Sequence, residues 1–250
     1  MLVSYFNKFI FLRPSFCGST STEFVLSKYC KSKEDIITPI SFPEEIKRKG
    51  QKIYPKNYAS ARFYEKIYNL SVLLKNKRIS DFFLIKNQTL LLKNHDNLEK
   101  LLKFRDIDIS NFKIISINRH PYEKALSLAK WKVIKKQYFK ERTKTTPTKD
   151  EILYSLDKVY NNQQLRHINN WPIYTYNNKY IVDLMIEYKN LNNIDKTLGK
   201  HFSFGRFKLP QLKKYYDEKY ITPLMIPKKI KKYISEICFE EFEKFSYREY

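Results

Sequence analysis

"FIFLRPSFCGSTSTEFVLSKYC", residues 9–30, sets a knot of Pro, Gly, Ser and Thr between two apolar stretches. Residues 9–12 form a short continuous apolar run, the pattern of a strand buried on both faces. Pro14 ends that strand. Ser19, Thr20 and Ser21 offer N-cap hydroxyls, and Glu23 then favours a first helical turn. Phe24, Val25, Leu26 and Tyr29 give the helix an apolar face as far as Cys30. The stretch therefore reads as strand, tight turn, helix.

A second stretch repeats that grammar. In "FKIISINRHPYEKALSLAKWK", residues 112–132, an apolar run from Phe112 to Ile117 predicts another buried strand. Asn118 to His120 make the turn, and Pro121 suits the first turn of a helix whose buried side carries Leu126, Ala129 and Val133. "YIVDLMIEYKNL", residues 180–191, gives a third apolar run, with a helix following to about residue 198. Strands alternating with helices predict an α/β fold: a P-loop-like sandwich with a central, mainly parallel β-sheet flanked by helices. The N-terminal residues 1–15 read as the strand that begins it.

Between these anchors, residues 36–62 hold three prolines, a glycine and many charges, and read as an irregular surface segment. Residues 63–80 have helical spacing, residues 84–92 read as a strand, and "NHDNLEKLLKF", residues 94–104, as a helix capped by Asn94 or Asp96. Residues 140–150 are a polar loop, a helix covers 151–160, residues 201–227 are loop-like, and an amphipathic helix closes the chain over 227–245. The length of 250 residues and the absence of a Gly/Ser linker suit one domain, 1–250.

Forty-eight Lys+Arg against 26 Asp+Glu leave a formal charge of +22, a field that attracts polyanions. A broad Lys/Asn/Ile/Tyr bias is the competing explanation. Three cysteines at 17, 30 and 238 have no pairing or zinc spacing, and four scattered histidines form no metal cluster. No metal is expected, and the thiols suit a reducing compartment. The apolar N-terminus is interrupted by Lys8, is too short to span a bilayer and lacks a cleavage signal, so no membrane span is expected.

Both strand-to-helix turns fall where open α/β sheets bind ligands, at the carboxyl ends of strands. The first brings backbone N–H groups and the hydroxyls of Ser19, Thr20 and Ser21, behind Cys17 and Gly18, to a helix N-terminus suited to phosphate or sulfate. The same residues also make an ordinary capped loop. The second turn puts Arg119 at a strand end, with Ser127 eight residues on.

Taken in order, the two motifs resemble the sulfotransferases that use 3′-phosphoadenosine 5′-phosphosulfate, in particular the carbohydrate-modifying branch. The first-loop pattern there is Pro-x-Lys-x-Gly-Gly/Ser-Thr-Ser followed by Glu; here it reads "PSFCGSTSTE". The second is Arg-x-Pro-x-(Asp/Glu)-(Arg/Lys)-x-x-Ser; here "RHPYEKALS" matches in full. "LSKYC…DIITPI", "VDLMIEYKNL" and "YYDE…FEKFSY" are similar to bacterial members. Residues 40–80 and 135–175 match weakly, as acceptor-binding parts would. The resemblance implies that the first loop grips the 5′-phosphosulfate and that Arg119 and Ser127 hold the 3′-phosphate. It also implies that Lys213 meets phosphate and Tyr215, with Lys214 and Tyr216 beside it, stacks on adenine, although an aromatic anchor for the last helix explains that stretch equally. The implied co-substrate is the phosphosulfate nucleotide, and the implied partner is a carbohydrate or polysaccharide acceptor.

One position departs from the pattern. Phe16 stands where the family has the Lys that stabilises the leaving phosphate, with Arg13 and Lys8 the nearest cations in sequence. A base titrating near neutrality favours His. The resemblance puts it at His95, with Glu23 as an alternative better suited to a helix start, and His167 and His201 as loop residues for an acceptor. His120 falls at a variable motif position. Two other readings stay open: a non-catalytic polyanion- or nucleotide-binding module on the same fold, and a nucleic-acid binder supported by charge alone. The expected location is the cytoplasm.

Overall fold

The computed structural model describes residues 1–86, 90–137, 146–210, 212 and 221–248. In chain order its main elements are β1 (Leu2–Ser4), β2 (Phe9–Phe11), α1 (Ser19–Leu26), β3 (Ile36–Ile37), α2 (Phe42–Lys49), α3 (Arg62–Leu73), α4 (Lys77–Lys86), α5 (Leu98–Phe104) and β4 (Lys113–Asn118). There follow α6 (Pro121–Lys136), α7 (Lys149–Asn161), α8 (Trp171–Tyr174), β5 (Thr175–Tyr176), β6 (Lys179–Tyr180), β7 (Leu184–Glu187), α9 (Ile194–Gly199), α10 (Lys228–Ile237) and α11 (Phe239–Phe245). The chain divides into two compact units. One comprises 1–14, 18–117 and 173–212; the other comprises 15–17, 118–172 and 213–250.

The first unit is built on a five-stranded sheet, in the order β3-β1-β2-β4-β7. β2 and β4 are parallel, with Ile10 opposite Ile114 and Phe11 opposite Ile115. These are the two apolar runs that sequence reads as buried strands, and all three residues of β2 are fully buried. The sheet is mixed rather than mainly parallel, because β1 runs antiparallel to both β2 and β3. The cause is local. The chain turns back at once through residues 5–8, where Lys8 takes a left-handed φ of 52°. The Asp35 carboxylate accepts the Tyr5 and Ser32 N–H groups at 2.7 and 2.8 Å, tying that hairpin to the approach to β3. A separate hairpin, β5–β6, turns on Asn177 and Asn178, both at positive φ, the signature of a type I′ turn.

Residues 36–62 are not a surface segment. They contain β3 and α2, and Glu44, Glu45 and Arg48 are buried. Glu45 and Arg48 pair inside the unit: Arg48 binds Glu45 through Nε at 3.1 Å and the Thr38 carbonyl through Nη2 at 3.0 Å. Of the strand expected over 84–92, residues 84–86 belong to α4 and Leu91 makes an isolated bridge to Ala59, while residues 87–89 lie outside the described residues. The helical region 63–80 breaks at Lys75, whose φ is 53°, and Asn97 rather than Asn94 or Asp96 caps α5.

The second unit is helical. Its core joins Leu126, Leu128 and Ala129 of α6 to Ile152, Leu156 and Val159 of α7 and to Ile230, Ile234, Cys238 and Phe242 of the closing helices. The single closing helix expected over 227–245 is two, divided at Cys238. α7 starts two residues before 151, on a capping box formed by Thr148 and Glu151. α6 begins as expected at Pro121, and its N-cap is His120. The His120 Nδ1 accepts the Tyr122 N–H at 3.2 Å, so its other nitrogen carries the proton and donates to the Arg248 carbonyl at 3.0 Å. The ring lies among Tyr122, Phe242 and Tyr247, with centroids 4.8–5.5 Å apart.

That arrangement has a pH signature. Burial holds the His120 pKa below the ordinary 6.5. The folded state thus prefers neutral imidazole, and its contribution is complete above the unfolded value and lost as pH falls through the folded one. The melting temperature is expected to drop from pH 7 to pH 5, and His120→Asn, which keeps a capping acceptor, is expected to flatten that slope. An unchanged slope in His120→Asn would assign the pH dependence elsewhere.

Candidate functional site

The first loop leaves β2 through Arg13 and Pro14 and enters α1 at Gly18. Two of its residues sit in left-handed backbone, Phe16 at φ 59° and Gly18 at φ 70°. The left-handed region is costly for a residue with a Cβ, so Gly18 suits its place. A Cβ there would also come within 2.8 Å of Leu191 Cδ1 and 3.2 Å of the Tyr188 ring. Gly18 itself is the N-cap of α1, with no side-chain cap. The hydroxyls expected to cap the helix turn elsewhere: Ser19 Oγ donates to the Pro14 carbonyl at 2.7 Å, and Thr20 Oγ1 accepts from Arg13 Nη2 at 2.7 Å. Ser21 is half-buried.

Arg13 is buried, and its Nη1 pairs with Glu23 Oε2 at 3.0 Å. Burial pushes the guanidinium pKa down while Glu23 pulls it back up. Glu23 does not cap the helix. Fully buried, it also binds the Met1 amino group at 3.1 Å, so its lone pairs are directed into the fold. That amine, which Thr38 Oγ1 also contacts at 2.8 Å, is held down to about 6 by burial, against the pull of Glu23. Lys8 stands before β2, at the opposite end of that strand from the loop, and its ammonium lies 5.2 Å from the Phe112 ring centroid. Of the two cations nearest Phe16 in sequence, the ladder thus places Lys8 away from the loop and Arg13 inside it.

His95 is exposed and lies just before α5. Its Nδ1 is 3.0 Å from the Arg13 carbonyl. A carbonyl only accepts, so Nδ1 bears the hydrogen and, in the neutral ring, Nε2 bears the lone pair. An imidazole oriented by a backbone carbonyl is the usual geometry of a general base. Here that carbonyl belongs to the residue at which β2 gives way to the loop.

In the second unit, residues 15–17 are held by Asn170. This fully buried side chain accepts the Ser15 N–H at 2.8 Å and donates to the Ser15 carbonyl at 3.1 Å, matching the backbone's own donor and acceptor. The same amide approaches Cys17 Sγ at 3.5 Å, and that thiol donates to the Ser15 carbonyl at 3.2 Å. Asn170 is fixed in turn: its N–H donates to Glu241 Oε1 at 2.8 Å, and Glu241 is clamped by Lys124 Nζ at 2.7 and 2.8 Å, with both charged groups fully buried. The Phe16 side chain is half-buried and packs against the helical core of this unit.

Arg119 lies at the start of the second motif. Its Nε pairs with Glu123 at 3.0 Å, and its Nη1 makes a longer contact of 3.4 Å with the Phe16 carbonyl. Ser127 is half-buried on α6, one turn beyond Glu123. Lys213 and Tyr215, with Lys214 and Tyr216, lie outside the described residues. His167 and His201 are exposed on separate stretches, in the 3-10 turn Gln164–Ile168 and after α9 respectively. Asn170, Lys124 and Glu241 are the residues that sequence reading misses. Lys124 carries a signal, as the basic position of the second motif; Asn170 has none.

Among the described residues, no group of three or more His, Cys, Asp or Glu is placed to hold a metal ion, and no helix is long and apolar enough to cross a membrane. The three cysteines are buried; burial pushes the Cys238 thiol up to about 12 and the Cys30 thiol higher still. No family model, curated protein or solved structure matches this chain.

Proposed function

We propose that this chain is a sulfotransferase that moves a sulfuryl group from 3′-phosphoadenosine 5′-phosphosulfate to a hydroxyl of a carbohydrate acceptor. The observation that carries the reading is the contact of Arg119, first residue of the second motif, with the backbone of Phe16 in the first motif. Phe16 and Arg119, about a hundred positions apart in sequence, thus lie together in the helical unit, which supports the reading. In this reading Arg119 turns from Glu123 to the 3′-phosphate, and Ser127 on α6 is its partner in the motif; the grip of the first loop on the phosphosulfate is what the resemblance implies.

The reaction is an in-line displacement. The acceptor oxygen forms a bond to sulfur as the bond from sulfur to the bridging phosphate oxygen breaks, and bisphosphoadenosine leaves. His95 Nε2 takes the hydroxyl proton, with the ring held by the Arg13 carbonyl. Positioning and fixed dipoles account for most of the acceleration in such a step. Phe16 removes a cation that the family aims at the leaving oxygen, and Arg13 approaches that role only with its charge partly offset by Glu23. Loss of one preorganised donor costs about 10²–10³ in rate, so turnover is expected to be slow. The buried thiols suit a cytoplasmic setting.

The test is transfer of isotope-labelled sulfate from the donor to a panel of neutral and acidic glycans. Label on at least one glycan is the expected outcome. Donor binding without transfer to any acceptor favours the second reading, a nucleotide-binding module without catalysis, which the Phe16 departure specifically supports.

A further inference from the structure

α10 carries two stripes. Ile230, Ile234 and Cys238 point into the core of the helical unit. Lys228, Lys231, Lys232, Ser235 and Glu236 recur at the complementary three- and four-residue spacings and line a pocket of about 460 Å³. Phe239, at the start of α11 and 59% exposed, supplies an apolar wall. The far side is Tyr122, fully buried, whose hydroxyl is 2.9 Å from Ser235 Oγ. The concavity is thus lined by three lysines, one glutamate, a paired hydroxyl and an aromatic surface contributed by α6, α10 and α11.

We infer that this pocket binds an acidic sugar unit, a uronate or sulfated residue of a glycan chain. Its size suits one or two pyranose rings. The lysines supply the counter-charge for a carboxylate or sulfate. Phe239 offers a flat apolar surface for the C–H face of a ring, in the manner of small-ligand sites with few placed polar groups. Glu236 decides between polyanions. A carboxylate accepts hydrogen bonds from the vicinal hydroxyls of a sugar, whereas a phosphodiester backbone offers it no such donors and is repelled. The site stands on these residues alone and does not require sulfuryl transfer.

The experiment is titration of the intact chain, without nucleotide, with a uronate tetrasaccharide. Its comparators are a neutral tetrasaccharide, a single-stranded oligonucleotide of equal charge, and vesicles of anionic phospholipid. The uronate is expected to bind on the order of tenfold more tightly than the neutral sugar, and the Lys228→Glu/Lys232→Glu pair is expected to abolish that preference. Phe239→Ala, at an exposed position, and Glu236→Gln are each expected to weaken the uronate several-fold, and Glu236→Gln to strengthen the oligonucleotide. Equal binding of oligonucleotide and uronate, or uronate binding indifferent to Glu236 and Phe239, would reduce the pocket to an unspecific basic patch. Preference for the vesicles would assign it to a membrane surface and overturn the inference equally.

Discussion

His95→Ala is expected to lower sulfate transfer by about 10²–10⁴-fold while leaving nucleotide binding and the melting temperature close to those of the unaltered chain. The side chain is exposed, so its removal opens no cavity. What it removes is a proton acceptor whose tautomer is fixed by the Arg13 carbonyl. His95→Asn separates the two roles: its amide nitrogen occupies the position of Nδ1 and can still donate to that carbonyl, but no basic nitrogen remains. Its rate is expected to fall as far as that of His95→Ala. If His95→Asn instead keeps most of the activity, the residue positions the loop and another group takes the proton. Glu23 is a poor candidate for that group, since its carboxylate is enclosed by Arg13, Met1 and Thr38.

The largest effect on stability is expected at the buried pair beneath residues 15–17. Lys124→Met strands the Glu241 carboxylate in the core of the helical unit, and an uncompensated buried charge costs about 3–5 kcal/mol. Glu241→Gln strands the ammonium but keeps an acceptor for the Asn170 N–H, so it is expected to be the milder of the two. Combining them removes both charges, and the double variant is expected to recover part of the loss, giving a coupling measurable in a double-mutant cycle from urea titrations. Because Glu241 fixes Asn170 and Asn170 fixes Ser15, nucleotide binding should weaken even in variants that remain folded. Singles within about 1 kcal/mol of the unaltered chain would mean that the pair is solvated in practice.

What the sequence discloses about this molecule follows the range of the interactions involved. Residues 9–12 and 112–117 are legible as strands because a strand covered on both faces must be apolar throughout, and they form the parallel pair β2–β4. Pro121 likewise announces α6 by a purely local constraint. The antiparallel half of the sheet is hidden, because β1 and β3 are three and two residues long, too short for any period to register. α2 is hidden for another reason: its charges resemble those of a solvated loop until Arg48 is seen to bind Glu45 and the Thr38 carbonyl. In the candidate site, local chemistry marks Gly18, the serines and Arg119. Nothing local marks Asn170, which reaches Ser15 across 155 positions, or Glu241, which reaches Lys124 across 117. The direction of the Phe16 ring, into the helical core, is equally a matter of packing partners distant in sequence.

The proposed function turns on Arg119 reading the 3′-phosphate of the donor nucleotide. Calorimetric affinity for 3′,5′-bisphosphoadenosine against 5′-AMP, in the unaltered chain and in Arg119→Ala, tests it most directly. A preference of at least about tenfold for the bisphosphate, lost in Arg119→Ala with AMP affinity unchanged, is the expected result, since a charge-assisted contact to phosphate is worth about 1.5–3 kcal/mol. Equal affinity for the two nucleotides in the unaltered chain would contradict it.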